Sequence, residues 1–170
     1  WPPDVQTVFS RDGELVCGFQ FDERLRQDAV AEVGKLRKAG MKIAILSGDK
    51  TGRVECIAFE LGVEPGSATG EMSPHAKAMW LRERDANSDT LVLGDGANDS
   101  MAFAEGLCCG TPAVDRGVLQ HKADFYYLGR GLSGIRLLLE MARLKQRIVN
   151  TVLVFAGLYN LVAIGLALSG

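Results

Sequence analysis

The sequence predicts an α/β fold with a parallel sheet flanked by helices, followed by one helix that crosses a membrane. Between residues 25 and 130, short apolar runs typical of buried strands alternate with runs in which apolar residues recur at helical spacing. The 19 Lys and Arg residues and the 21 Asp and Glu residues all lie at or before Arg147. The stretch Ile148–Gly170 therefore carries no charge, which is typical of a membrane span.

Composition narrows the class of function before any motif is considered. A chain of 170 residues is long enough for one domain with a proper core, and its formal net charge is −2. No block of Lys and Arg stands out, so we expect no nucleic-acid partner. The four cysteines are too few for a disulfide scaffold and match no zinc spacing. Cys108 and Cys109 would point to opposite faces of a strand, which favours core packing over chelation.

Residues 1–24 predict a strand hairpin that leads into the main domain. Val5–Phe9 and Glu14–Phe21 are the two predicted strands. The pair Asp12-Gly13 between them is a strong signal for a tight hairpin turn.

Residues 25–130 form the predicted domain core. Gly40 is placed to end its first helix, and Ser73 with Pro74 is placed to open its third. The predicted helices are approximately Leu25–Ala39, Arg53–Leu61, Pro74–Arg84, Ser100–Glu105 and Val114–Gln120. The predicted strands are Lys42–Leu46, Thr90–Leu93, Leu107–Cys109 and Phe125–Leu128. In such alternating folds, ligands bind at the carboxyl ends of the parallel strands.

Residues 131–147 predict a linking helix, and residues 148–170 predict the transmembrane helix. At about 1.5 Å per residue, the uncharged stretch spans roughly the 30 Å of a bilayer core. Arg143, Lys145 and Arg147 precede it, which places residues 1–147 on the cytoplasmic side and the span in contact with lipid. The alternative is a long buried core helix, which would usually keep a polar stripe.

The strongest chemical signal is the glycine-rich run Gly94–Asp99, directly after a predicted buried strand. Asp95, Asn98 and Asp99 offer several oxygen ligands in a small space, and Mg²⁺ prefers hard oxygen ligands. The glycines let backbone amides approach an anion closely. The run predicts a Mg²⁺ and phosphate site, with Asp95 as the first ligand and Asp99 as a second candidate. The alternative is an ordinary surface turn.

A second polar loop, Ser47-Gly48-Asp49, follows an earlier predicted strand. Its hydroxyl and free backbone amide suit a phosphoryl group, and the start of the next helix adds its dipole. Lys77, in the first turn of the third helix, is placed to neutralise phosphate charge. Alone, these residues fit a helix cap and a solvated side chain equally well. If the Ser47–Asp49 loop faces Asp95 across one crevice, the proximity would support the assignment of both loops to one site.

In this order, Ser47–Asp49, the Pro74 to Lys77 segment and Gly94–Asp99 resemble the later half of the phosphorylation domain of P-type ATPases. These proteins belong to the haloacid dehalogenase superfamily, whose fold is a Rossmann-like parallel sheet with flanking helices. The resemblance covers nearly the whole chain. It also includes Gly13–Val16, Leu25–Ala29, Ala123-Asp124 and, as in heavy-metal-transporting members, Tyr159-Asn160 in the membrane span.

The resemblance implies part of an ion pump that uses ATP and Mg²⁺. In the family, ATP phosphorylates an aspartate, and formation and hydrolysis of the aspartyl phosphate drive transport. Such phosphoryl transfer needs positioning and charge neutralisation. By matched position, the implied roles are Mg²⁺ binding by Asp95, support of the metal and phosphoryl group by Asn98 and Asp99, phosphoryl contacts by Ser47 and Gly48, ordering of the loop by Asp49, and charge neutralisation by Lys77.

The stretch Asp49–Gly52 reproduces the first four residues of the family's Asp-Lys-Thr-Gly-Thr phosphorylation motif, but Arg53 stands in fifth place. In the family, that motif lies far upstream of the Gly-Asp-Gly run, and the preceding Ser-Gly marks Asp49 as part of the later loop. We therefore place the nucleophile outside this chain, with most of the nucleotide domain and the earlier membrane helices. The isolated chain is expected neither to hydrolyse ATP nor to move ions.

The pair Tyr159-Asn160 resembles that of copper(I) pumps and implies a heavy-metal cation as cargo, with copper favoured over other transition metals. Val152 and Gly165 depart from the copper pattern, which usually has Asn and Pro there.

Two alternatives to a heavy-metal pump remain. One is a membrane-anchored phosphatase of the same superfamily, although no Asp-x-Asp motif precedes the Ser-Gly-Asp strand. The other is a non-catalytic module that binds phosphate.

Overall fold

In the computed structural model, residues 5, 7–21, 24–95, 97–112, 122–129 and 131–169 are described. The helices are α1 (Ala29–Lys38), α2 (Thr51–Glu60), α3 (Pro74–Arg84), α4 (Ser100–Phe103) and α5 (Ser133–Ser169), with a short 3-10 helix at Ala97–Asp99. The strands are β1 (Thr7–Arg11), β2 (Glu14–Phe19), β3 (Ile45–Leu46), β4 (Ala68–Thr69), β5 (Leu91–Leu93), β6 (Cys108–Pro112) and β7 (Phe125–Tyr127). Gly96 and the helix predicted over Val114–Gln120 lie outside the described residues.

β1 and β2 pair as the antiparallel hairpin that the sequence predicts. Asp12 and Gly13 form its turn with φ angles of 52° and 84°, the left-handed geometry that two-residue hairpin turns of this type require. The exposed apolar side chains of the hairpin are Val8, Phe9, Leu15, Val16 and Phe19. A two-stranded ribbon is marginal by itself, so the hairpin contributes little to the core.

The central strands are parallel, as predicted, and form two separate sheets. β3 pairs with β4, and β5, β6 and β7 pair in that order. The sequence does not predict β4, because two residues are too few to show a periodicity. The predicted strand Lys42–Leu46 is shortened to Ile45–Leu46, since only those two residues face the equally short β4.

Two small hydrophobic clusters hold the helices on these sheets. In the first, Val33 of α1 and Ala58 of α2 pack with Val63 and the apolar residues of β3 and β4. In the second, Phe103 of α4 packs against Cys109 of β6. The predicted α/β class is therefore confirmed, with α1 and α2 on one sheet and α4 on the other.

Cys109 confirms the core interpretation of the adjacent cysteines. The residue is 3% exposed, and its Sγ donates a hydrogen bond to the Phe103 carbonyl oxygen at 3.0 Å. Burial, with the charge of Asp124 adding to it, raises the pKa of the Cys109 thiol to about 11. A thiol with so high a pKa is a poor nucleophile and a poor metal ligand.

α5 runs without a break from Ser133 to Ser169, so the predicted linking helix and membrane helix are one element. It is long and apolar enough to cross a membrane, and none of its most apolar stretch is buried. A long helix in the core of a soluble protein would bury much of its surface, whereas Ile135 is the one buried residue among those described in α5. This exposure disfavours the core-helix alternative.

Asp28 joins the start of α5 to the start of α1. Its Oδ2 accepts hydrogen bonds from the backbone N–H groups of Leu132, at 2.7 Å, and Ser133, at 3.3 Å. The carboxylate thus caps α5, and its side chain makes no capping bond to α1. This use of Asp28 accompanies the later start of α1, at Ala29 instead of the predicted Leu25.

Beyond this cap, α5 continues beside α1 in parallel register. Arg136 Nε donates a hydrogen bond to Glu32 Oε2 at 2.5 Å. About two helical turns further along α5, Arg143 Nη1 donates a hydrogen bond to the carbonyl oxygen of Ala39 at 3.1 Å. The partners in these contacts keep a constant separation of 104 positions, which shows that the two helices run side by side in the same direction.

Candidate phosphoryl-binding site

The two polar loops each follow the carboxyl end of a parallel strand. Ser47–Asp49 comes directly after β3, and Gly94–Asp99 comes directly after β5. Each of these strands stands at the edge of its sheet, because β3 pairs with β4 and β5 pairs with β6 within the described residues. The strand ends of parallel sheets are where ligands bind in folds of this class.

In the first loop, Ser47 and Asp49 bind each other. The Asp49 N–H donates to Ser47 Oγ at 3.1 Å, and the Ser47 hydroxyl donates to Asp49 Oδ2 at 3.2 Å. Gly48 lies exposed between them. The turn is therefore closed by its own side chains, and the Ser47 hydroxyl must rotate away from Asp49 before it can donate to a phosphoryl oxygen.

Residues 70–72, which follow the short strand β4, pack against this loop through backbone hydrogen bonds. The Glu71 N–H donates to the Asp49 carbonyl oxygen at 2.6 Å. The Met72 N–H donates to the Ser47 carbonyl oxygen at 2.9 Å. The loop is thus bound on one side by a segment to which the sequence assigns no helix or strand.

In the second loop, the side chain of Asp99 folds back against Gly94. A Cβ atom at position 94 would lie 2.5 Å from Asp99 Oδ2, so the approach needs glycine there. Asp99 is half-buried, whereas Asp95 and Asn98 are exposed. The loop therefore presents two of its three predicted site side chains to solvent and directs the third inward.

An ion pair between Lys77 and Asp99 joins the first turn of α3 to the second loop. Lys77 Nζ lies 2.7 Å from Asp99 Oδ1, and the two side chains are 11% and 17% exposed. Lys77 stands in the first turn of α3, where Ser73 Oγ accepts a hydrogen bond from the Ala76 N–H and caps the helix as predicted. Because the pair is largely shielded from solvent, salt screens it less than a surface pair.

Tyr127, at the end of β7, is a neighbour of the second loop that the sequence does not single out. Burial raises the pKa of its phenol; the charge of Arg26 opposes this effect, and the charge of Asp95 adds to it. Asp95 and Arg26 therefore act on one hydroxyl at the carboxyl edge of the second sheet. Its place at the end of a parallel strand is the signal by which it could have been found.

The oxygen donors of the second loop suit Mg²⁺. Within the described part of the chain, no three His, Cys, Asp or Glu side chains converge as a metal cage would require. Mg²⁺ needs no such cage, because it binds through one or two carboxylates and completes its shell with waters and phosphate oxygens. An exposed Asp95 near an Asp99 already paired with Lys77 is compatible with that pattern.

Tyr159 and Asn160 lie apart from the two loops, in the second half of α5. Both side chains are exposed. At about 1.5 Å per residue, Tyr159 is about 40 Å along the helix from Ser133. The structure therefore brings together Lys77 with Asp99, and Ser47 with Asp49, but leaves the predicted cargo residues remote from them.

Comparison with known proteins places this geometry in a family. Residues 3–106 match the haloacid dehalogenase-like hydrolases. The chain is 27% identical over 169 residues to the nitrogen fixation protein FixI of Rhizobium leguminosarum bv. viciae, covering 99% of this chain and 22% of that protein. It is 29% identical over 164 residues to the cation-transporting P-type ATPase B of Mycobacterium bovis, covering 95% and 21%.

A solved structure agrees with these relatives. The crystal structure of a zinc-transporting PIB-type ATPase in the E2P state matches with a TM-score of 0.67 and 27% identity, over 72% of this chain and 20% of that one. The chain spans about a fifth of the length of the curated relatives that it matches. The resemblance that the motifs indicate is thereby confirmed. The chain belongs to the haloacid dehalogenase-like hydrolase family, and its similarity within that family is to cation-transporting P-type ATPases.

Proposed function

We propose that the chain supplies the Mg²⁺-binding and phosphoryl-binding loops of an ATP-driven heavy-metal cation pump that works through an aspartyl phosphate. The observation that carries this proposal is the 2.7 Å ion pair between Lys77 and Asp99. The pair joins the Pro74 to Lys77 segment to the Gly94–Asp99 loop, and the resemblance implies that both belong to the same phosphoryl-binding site. It also sets a cation beside the carboxylates, where the charge of a phosphoryl group has to be neutralised.

In this proposal each loop has its own task. Asp95 binds Mg²⁺, which supplies positive charge at the phosphoryl group, and Asn98 and Asp99 support it. Lys77 orients Asp99 and neutralises phosphoryl charge. Ser47 and Gly48 contact the phosphoryl oxygens, and the hydrogen bonds between Ser47 and Asp49 support an ordering role for Asp49.

The nucleophilic aspartate is proposed to come from a segment outside this chain. In the described residues, β3 and β5 each have one edge without a strand partner, and each leads into one of the two loops. A further parallel strand at those edges would bring the residue at its own carboxyl end to both loops. Asp49 does not fit the role of nucleophile, because its carboxylate is engaged with Ser47 in the turn before α2.

The proposed setting is a membrane pump with residues 1–147 on the cytoplasmic side and the apolar part of α5 in contact with lipid. The exposure of that part of α5 supports the placement. The proposed cargo is copper or another transition metal, with Tyr159 and Asn160 as its contacts, and the proposed partners are the remaining domains of the parent pump. Because one matched structure is zinc-transporting, zinc is the competitor to test against copper.

The first experiment uses a full-length pump that contains this segment. Asp95→Ala is expected to lower the rate of phosphoenzyme formation at least about a hundredfold, because the principal Mg²⁺ ligand is lost. The measurement is incorporation of labelled phosphate from ATP into an acid-stable, hydroxylamine-sensitive product. Glu83→Ala removes an exposed carboxylate on α3 and is expected to leave that rate unchanged. A normal rate in Asp95→Ala would contradict the metal assignment.

A second experiment separates cargo from chemistry. Tyr159→Ala in the same pump is expected to reduce copper uptake into vesicles while phosphorylation by inorganic phosphate persists. Uptake of zinc in place of copper would correct the choice of metal. The isolated chain is expected to form no phosphoenzyme with ATP, whereas turnover of a simple phosphate ester by the isolated chain would favour the membrane-anchored phosphatase.

A further inference from the structure

Gly70 lies directly against the turn that opens α2, a contact that no sequence motif indicates. The residue is buried. A Cβ atom there would lie 2.5 Å from Thr51 Cα, 2.7 Å from Thr51 N and 2.7 Å from the Asp49 carbonyl oxygen. All three are backbone atoms, which cannot swing aside as the end of a side chain can. A side chain at position 70 would therefore displace the turn itself.

Glu71 makes two hydrogen bonds to the same turn, one through its backbone and one through its side chain. Its N–H donates to the Asp49 carbonyl oxygen at 2.6 Å, and its Oε2 accepts from Thr51 Oγ1 at 2.8 Å. Its φ of 53° lies in the left-handed region, which a residue other than glycine enters at a cost in free energy. The two hydrogen bonds compensate for that cost.

Thr51 is the residue through which this contact reaches α2. It is the first residue of the helix, and it follows the Ser47–Asp49 loop by two positions. Its hydroxyl is directed to Glu71, which lies 20 positions away in sequence. Thr51 belongs to the stretch that imitates a phosphorylation motif, and its hydrogen bond gives it a structural use that needs no phosphate.

We propose that Glu71 is a positioning residue for the phosphoryl-binding loop, acting through Thr51, with Gly70 providing the space for the contact. This inference rests on the proposed function of Ser47 and Gly48. Glu71 does not bind the phosphoryl group, because its negative charge would repel one. It fixes the turn so that the loop keeps one geometry before phosphate arrives, which lowers the cost of ordering the loop on binding.

The test is a titration of the ¹⁵N-labelled chain in detergent micelles with inorganic phosphate in the presence of Mg²⁺, followed by NMR. In the wild-type chain, the amide signals of Ser47 and Gly48 are expected to shift with phosphate. Glu71→Ala is expected to weaken the phosphate affinity about fivefold, the effect of one lost hydrogen bond. Thr51→Val is expected to do the same, and the double variant to be no weaker than either single one.

Two matched variants separate positioning from a general loss of structure. Glu71→Gln keeps a side-chain oxygen that accepts from Thr51, so it is expected to retain wild-type affinity. Glu60→Ala removes an exposed carboxylate at the far end of α2 and is also expected to leave the affinity unchanged. Equal weakening by Glu71→Gln and Glu71→Ala would overturn the role of the hydrogen bond.

Amide hydrogen exchange without phosphate keeps this inference distinct from the proposed function. In Glu71→Ala, the amides of residues 47–51 are expected to exchange about fivefold faster than in the wild-type chain, while those of β5 and β6 keep their rates. Unchanged exchange in residues 47–51 would overturn the positioning role. If phosphate shifts no signal in the wild-type chain, the proposed phosphate site is wrong, and the exchange rates still decide whether Glu71 positions the loop.

Discussion

Two ion pairs of similar burial join distant parts of this molecule. Lys77 and Asp99 meet at 2.7 Å, with side chains 11% and 17% exposed, after the carboxyl end of β5. Glu32 and Arg136 meet at 2.5 Å, with side chains 6% and 21% exposed, between α1 and α5. The first pair lies beside a glycine-rich loop, and the second lies between two helices.

The contrast shows that burial and charge pairing do not by themselves identify a functional site. In the same loop as Asp99, Asp95 exposes its carboxylate to solvent. Around Glu32, by contrast, Lys35 Nζ also donates at 2.7 Å, so two cations already engage the carboxylate. The Lys77 pair therefore has an exposed carboxylate in the same loop, whereas both carboxylate oxygens of Glu32 are already engaged by protein cations.

Of the variants that compare the two ion pairs, Lys77→Ala is expected to have the largest effect, and that effect is on phosphate affinity. It removes the cation that we propose neutralises phosphoryl charge, so the Mg²⁺-dependent phosphate affinity of the chain is expected to fall at least about tenfold. The measurement is the NMR titration with inorganic phosphate. Lys42→Ala removes an exposed lysine just before β3 and serves as the control. Wild-type phosphate affinity in Lys77→Ala would mean that the Lys77–Asp99 pair, like the Glu32–Arg136 pair, takes no part in binding phosphate.

Glu32→Gln is expected to affect stability instead of binding. Arg136 and Lys35 lose their charged partner, and the thermal unfolding midpoint is expected to fall by several degrees. The phosphate affinity is expected to stay within about twofold of wild type. Glu140→Gln is the matched control, because Glu140 pairs with the same Arg136 at 2.7 Å but its side chain is 56% exposed. A loss of phosphate affinity in Glu32→Gln would remove the distinction between the pairs.

The same pair predicts a pH dependence of stability. Hydrogen bonds from Lys35 and Arg136 lower the pKa of Glu32 below its ordinary value. A carboxyl whose pKa is lower in the folded state contributes stability above its unfolded pKa, and this contribution is lost as the pH falls through the folded pKa. The stability gap between wild type and Glu32→Gln is therefore expected to be widest near neutral pH and to narrow below about pH 4.5. Thermal unfolding from pH 7 to pH 3 measures it.

The smallest expected effect comes from Gly34→Ala on α1. A Cβ atom there meets nothing within 4 Å, so alanine gains helix propensity without a clash. We expect the free energy of unfolding to rise by about 0.5 to 1 kcal/mol. The same substitution at Gly94 would press on Asp99 and is expected to weaken phosphate binding. Equal behaviour of the two variants in both assays would contradict the close contact between Gly94 and Asp99.

Several features of the fold follow from neighbouring residues alone and are predictable from the sequence. The hairpin turn at Asp12-Gly13 depends on residues that tolerate positive φ. The start of α3 depends on Ser73 and Pro74, which cap and begin a helix within one turn. The length and apolar character of α5 follow from its composition. The two site loops are recognisable because glycines and carboxylates directly follow apolar strands.

The tertiary structure alone decides which of these local features meet. Lys77 reaches Asp99 across 22 positions, and Asp28 reaches Leu132 across 104, distances over which periodicity carries no information. β4 exists only because β3 lies beside it. The sequence by itself therefore determined the local turns, the caps, the apolar span and the residue types of the site. The fold decided which charged residues pair and which segment packs closely against a glycine such as Gly70. Those contacts depend on packing between segments that are remote in the chain.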